Sequence, residues 1–138
     1  MQGCSLIEIK KVVESDGVLL VMENDKEIPF SIERIFLVTN VLEGKTRGDH
    51  ATIKTRLILF PVSGSCKVVV DNGHEKETYM MDDKSKGLLI EPMIWRSMQE
   101  FTPDCTMMAV CDRKYAPGEE TVDDYDEYLR LVTKDNND

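Results

Sequence analysis

The sequence predicts an all-β protein, a sandwich or barrel of the jelly-roll type with one short helix at its C-terminal end. Three observations carry that expectation. Short apolar stretches recur along most of the chain with turn residues between them. Asp71-Asn72-Gly73 separates two of these stretches, and Asn-Gly tolerates the positive φ angles that tight β-turns require. Helical spacing of apolar residues is confined to the C-terminal end.

The elements follow in order. Residues 6–9 alternate weakly, and residues 18–22 are apolar and β-branched. Asn24-Asp25-Lys26 is a turn. Residues 32–41 ("IERIFLVTNV") and 54–62 ("KTRLILFPV") read as strong strands. Ser63-Gly64-Ser65 ends the second, residues 66–70 follow, and residues 77–81 form the return strand of the Asn-Gly hairpin. Residues 87–90, 94–98 and 105–111 complete the set. Val122, Tyr125, Leu129 and Val132 then recur at helical spacing, with Thr121 or Asp123 as N-cap. The polar tail, residues 133–138, is expected to fray.

A chain of 138 residues suits one domain, spanning residues 1–138, that buries a core without staples. The net charge of −9 argues against nucleic acid or an anionic membrane as partner, since both select basic surfaces. It leaves open a small anionic ligand held by a local arginine cluster. No stretch approaches the roughly 20 apolar residues of a membrane helix, and no secretion signal is expected, since no apolar run follows a basic stretch in "MQGCSLIEIKK". Cys4, Cys66, Cys105 and Cys111 form no C-x-x-C pair and read as reduced, mostly buried thiols of a cytoplasmic protein.

Candidate chemistry centres on "TRGDHATIKT". His50, one of two histidines, follows Arg47-Gly48. Glycine lets backbone come close to a ligand, and Arg47 can fork onto a phosphate. Lys54 and Arg56 are expected on the same alternating face as Thr52; the competing reading is a charged outer face of an antiparallel sheet. His50 itself reads either as a catalytic group or as a hydrogen-bonded structural residue. Trp95-Arg96 offers a ring to stack on a base and a guanidinium for a pyrophosphate, or else a core tryptophan beside a solvated arginine. Arg34 is a third anion contact on the same terms. Barrels of the cupin kind bind metal through His-x-His, a later Glu and a further His. Gly48-x-His50-x-Thr52 supplies one imidazole, and His74 lies in the hairpin turn, so neither a metal nor another cofactor is expected.

In combination, "IPFSIERIFLVTNV", "TRGDHA", "SGSCKVVVDNG" and "GLLIEPMIWRSM" resemble the sugar 3,4-ketoisomerases, the WxcM-like cupins that act on dTDP-4-keto-6-deoxyglucose. The resemblance runs from about residue 6 to 128, and "RG-x-HA" and "P-x-x-WR-x-M" are its most specific pieces. It implies a cupin-type jelly-roll β-barrel, a homodimer that often exchanges N-terminal strands, a dTDP-sugar in the barrel mouth and metal-independent proton transfer. The first histidine of the family's His-Ala-His falls on His50. The second falls on Thr52, the following Lys on Ile53, a Gln on Leu57, and a tyrosine on Phe36 or Leu37. Arg34, Arg47, Trp95 and Arg96 match. The substitutions therefore fall on the proton-handling side. Thr52 cannot act as a base, though it can orient a water or hydroxyl.

Three readings follow: a ketoisomerase with His50 as base, a catalytically weak module that binds a dTDP-sugar, and a jelly roll for another small ligand. Lys54 and Glu91 are the expected second proton-handling groups beside His50, and a cavity with no titratable group but His50 would favour the binding module.

Overall fold

The computed structural model describes residues 1–134. Its twelve strands are β1 (Cys4–Glu8), β2 (Lys10–Glu14), β3 (Gly17–Val21), β4 (Arg34–Thr39), β5 (Arg47–Thr52), β6 (Leu57–Ser63), β7 (Cys66–Asp71), β8 (Lys76–Met81), β9 (Lys86–Ile90), β10 (Trp95–Gln99), β11 (Thr106–Cys111) and β12 (Thr121–Val122), followed by helix α1 (Tyr125–Lys134). They form two five-stranded antiparallel sheets, ordered β1-β9-β6-β11-β4 and β12-β5-β10-β7-β8, plus the separate hairpin β2-β3. The jelly-roll expectation holds.

Side chains from both sheets meet in one core. Leu57, Leu59, Leu88 and Met107 come from the first sheet, and Cys66, Val68, Val70 and Met98 from the second. The outer face of the first sheet is covered as well. Ile58, Phe60 and Val110 pack against Ile9, Ile28 and Phe30 of the N-terminal segment. That double cover explains why β6 reads as an unbroken apolar run rather than alternating: its first five residues are all buried. Pro61 sits in this central strand beside a register shift opposite Thr106/Met107, where a missing N–H is tolerated. The outer face of the second sheet is covered by α1 through Ala51, Val122 and Tyr128.

Several boundaries differ from the sequence reading, for physical reasons. Residues 54–56 are not strand; Lys54 lies in the exposed turn between β5 and β6. Arg56 is drawn away by Glu91, to which it donates through Nε and Nη2 at 2.9 Å each. β2 was not anticipated, because its Lys- and Glu-rich pattern masks a ribbon that pairs only with β3. The helix starts at Tyr125 with Asp124, not Thr121 or Asp123, as its cap: Asp124 Oδ1 accepts from the Glu127 amide at 2.9 Å. Val122 belongs to β12 instead. Thr133 and Lys134 extend the helix rather than fray, and residues 135–138 lie outside the described residues. The Asn-Gly hairpin forms a four-residue loop, with Asn72 Oδ1 accepting from His74 and Glu75 amides and Gly73 at φ +93°. All four cysteines are free and buried. No helix among the described residues is long and apolar enough to cross a membrane.

Candidate active site

The site is built by a single irregularity. β5 pairs with β10 as Arg96↔His50 and then Ser97↔Gly48, so Asp49 is the extra residue of a β-bulge. Gly48 and Asp49 both take positive φ, +86° and +54°. A Cβ on Gly48 would be strained at this φ and would lie 3.2 Å from the Arg96 carbonyl oxygen, so glycine suits the close approach of the two strands here. Residues three apart on a regular strand face opposite sides. The bulge cancels that, so Arg47 and His50 share the barrel-mouth face.

His50, Thr52 and Arg96 line a cavity of about 500 Å³ together with Arg34 and Phe36 of β4, Leu57 of β6, and Tyr115, Glu120, Thr121 and Asp123 from the segment around β12. A smaller cleft of about 100 Å³ continues from it past Phe36, His50 and Arg96 to Arg47 and Met98.

Arg96 is the most confined charge of the cavity, with 4% of its surface exposed. Its Nη1 donates to Thr52 Oγ1 and to the Ile94 carbonyl, both at 3.3 Å. Among the described residues no carboxylate lies within ion-pair distance of it, and burial pushes its pKa down to about 10. A buried cation without a counter-ion favours an anionic or anion-forming ligand. Thr52 is itself fixed, since its hydroxyl donates to the Thr55 carbonyl at 2.8 Å.

Burial, and secondarily Arg96, lower the pKa of His50, while Asp123 and the Gly48 backbone oppose them. The imidazole is therefore neutral near pH 7 and able to accept a proton. Its Nδ1 lies 3.9 Å from Asp123 Oδ1.

Arg34 is held by the opposite wall. Its Nη2 donates to Glu120 Oε1 at 2.7 Å, and its guanidinium sits over the rings of Phe36 (5.8 Å) and Tyr115 (5.6 Å). Nε and Nη1 of Arg34, a residue that lines the cavity, are buried without a hydrogen-bond partner. Burial raises the Glu120 carboxyl, but Arg34, the Ala116 amide and Thr55 outweigh it and hold the group below the usual range.

The cavity thus gathers four of the expected residues, His50, Thr52, Arg34 and Arg96, and Arg47 borders its extension. It does not gather the others. Trp95 is next to Arg96 on β10 and so points to the opposite face, where it packs edge-on against Tyr125 (5.2 Å) and stacked on Tyr128 (5.6 Å). That places it under α1 rather than against a base. Lys54 is exposed outside the cavity, and Glu91 is engaged by Arg56, so neither stands beside His50. The second titratable groups are Glu120 and Asp123 instead. Both lie in the segment after β11, which carries no apolar period, and in the sequence Asp123 reads only as a helix cap. Among the described residues no three His, Cys, Asp or Glu side chains cluster to hold a metal ion.

An antiparallel jelly roll with an imidazole and two arginines converging in its mouth is a small-molecule site of the cupin class. Comparison with known proteins is more specific. Residues 2–133 match the FdtA family (WxcM-like, C-terminal). The chain is 33% identical over 133 residues to the TDP-4-oxo-6-deoxy-α-D-glucose 3,4-oxoisomerase of Aneurinibacillus thermoaerophilus, covering 95% of this chain and 94% of that one. The sugar 3,4-ketoisomerase QdtA of Thermoanaerobacterium thermosaccharolyticum, solved with TDP, superimposes with a TM-score of 0.93 at 30% identity, covering 98% of each chain. WlaRA of Campylobacter jejuni, a TDP-fucose 3,4-ketoisomerase, does so with a TM-score of 0.88 at 30% identity over 95% of this chain and 96% of its own. The chain belongs to the WxcM-like sugar 3,4-ketoisomerase family.

Proposed function

We propose that this protein is a 3,4-ketoisomerase of a dTDP-linked 4-keto-6-deoxyhexose in deoxysugar biosynthesis, with His50 as the base. The observation that carries the reading is the convergence of a neutral imidazole and a carboxylate-free arginine on one cavity, in a chain of this family.

The chemistry balances as follows. His50 takes the proton from C3, the C3–H electron pair becomes the C3=C4 double bond, and the C4 carbonyl electrons move onto O4. Arg96 stabilises the resulting enediolate, a charge that exists only along the reaction path. The proton carried by His50 is returned to C4, while the O3 hydroxyl proton is transferred to O4, leaving the ketone at C3. A group of near-neutral pKa both accepts and donates under these conditions. Arg34, with two free donors, and Arg47 are assigned to the anionic and hydroxyl groups of the dTDP-sugar. Thr52 keeps Arg96 in register and is not a proton carrier.

The competing reading, a binding module, predicted a cavity with no titratable group besides His50. Glu120, Asp123 and Tyr115 line the same cavity, which favours the enzyme. The proposed setting is a cytoplasmic homodimer; the dimer is supported by the unpaired edge of β4, where Ile35 and Leu37 stand 57% and 59% exposed. Sedimentation at micromolar concentration distinguishes dimer from monomer.

The test is turnover of dTDP-4-keto-6-deoxyglucose followed by proton NMR. The 3-keto isomer is expected to accumulate, and His50→Ala is expected to slow it about 10²- to 10⁴-fold. Binding of dTDP without any isomer formed would support the binding module in place of the enzyme.

A further inference from the structure

We propose that Asp123 is the positioning carboxylate of His50, an arrangement by which this chain supports the one imidazole that lines the cavity. The inference rests on His50 being the base.

Geometry makes the case. β12 is hydrogen-bonded to β5 in the register Thr121↔Thr52 and Val122↔Ala51, so the backbone that carries Asp123 runs alongside the strand that carries His50. Val122 is buried under the sheet and Asp124 caps α1, so both neighbours of Asp123 are held. Its Oδ1 accepts from Thr121 Oγ1 at 2.9 Å and faces His50 Nδ1 at 3.9 Å. Both side chains line the same cavity. With Nδ1 directed at Asp123, Nε2 is the ring nitrogen left for the sugar proton. Acid–base contacts of this length commonly tighten in the substrate complex.

The other groups near His50 are committed elsewhere. Arg96 of β10 opposes protonation, and Asp49, the bulge residue of its own strand, favours it. Glu120 and Arg34 line the cavity as an ion pair and cancel one another. Thr52 donates to the backbone. Asp123 is the carboxylate on a different segment that reaches the ring.

The test needs no turnover to be read. Asp123 has 76% of its side chain exposed, so Asp123→Asn is expected to fold normally. With imidazole nitrogens labelled and His50→Gln used to assign the two histidine signals, the His50 titration midpoint is expected to fall by about half a pH unit in Asp123→Asn. Asp123→Glu is expected to restore most of it. In turnover, Asp123→Asn should keep dTDP affinity, lower kcat about three- to tenfold and move the acidic limb of kcat/KM downward with the titration. An unchanged titration overturns the pairing, and so does a dTDP affinity lost equally in both variants. Absence of isomer from the unmodified protein would overturn the isomerase reading instead, while the titration still decides the pair.

Discussion

Replacing Arg96 with methionine separates stability from chemistry. Arg96 is 4% exposed, and burial takes its guanidinium pKa well below the ordinary arginine range, to about 10. That fall corresponds to a folding cost of about 3 kcal/mol for keeping the charge inside. The sign is that of a depressed cation: the cost is fully present below the folded pKa, hence at pH 7, and disappears only as pH rises above about 10 toward the ordinary guanidinium value. Methionine keeps the unbranched stem and removes the charge, at the loss of two hydrogen bonds of about 1 kcal/mol each. The balance is a variant about as stable as the parent, or more stable by up to about 1 kcal/mol, a rise in Tm of up to about 4 °C. Turnover should fall about 10²- to 10³-fold, the usual worth of a donor aimed at a developing oxyanion. Thermal unfolding and NMR turnover on the same preparation test both halves. A Tm lowered by several degrees with turnover nearly intact would make Arg96 a structural residue and refute the reasoning.

The remaining expectations concern the groups around it. Because burial and Arg96 depress His50, the acidic limb of kcat/KM is expected below pH 6.5; a limb above it would mean that a different group is titrating. Stability should decline through the same region on acidification, since the buried neutral imidazole must charge. Trp95→Ala should lose about 2–4 kcal/mol by emptying the contact with Tyr125 and Tyr128, yet leave dTDP affinity within about twofold by calorimetry. A tenfold loss of affinity would return Trp95 to the ligand. Glu120→Gln should cost about 1–3 kcal/mol, because it removes the ionic partner of a half-buried Arg34, as read from the unfolding midpoint in urea.

Most of the fold was legible because its determinants are local. Alternation and turn residues announce β4, β7, β8 and β11, and Tyr125, Leu129 and Val132 announce α1. What escaped depended on tertiary partners. β2 exists through pairing with β3. Residues 54–56 alternate like strand yet are claimed by the Arg56–Glu91 pair. In the site, the glycine of "RGDHA" was visible, but not the bulge that turns Arg47 and His50 to one face. Trp95-Arg96 illustrates the limit of adjacency: neighbours on a strand cannot share a ligand on one face, so the tryptophan goes to the helix and the arginine to the cavity. Glu120 and Asp123 arrive from a segment more than 60 residues away in sequence from His50, and no spacing rule joins them to it.

The central claim is that one imidazole moves a proton between C3 and C4. The most direct measurement is incubation of dTDP-4-keto-6-deoxyglucose with the protein in D₂O, with deuterium at C3 and C4 followed by NMR. Incorporation at both carbons by the unmodified protein, reduced to background in His50→Ala, is the predicted result. No deuterium above background at either carbon, with dTDP still bound, would contradict it.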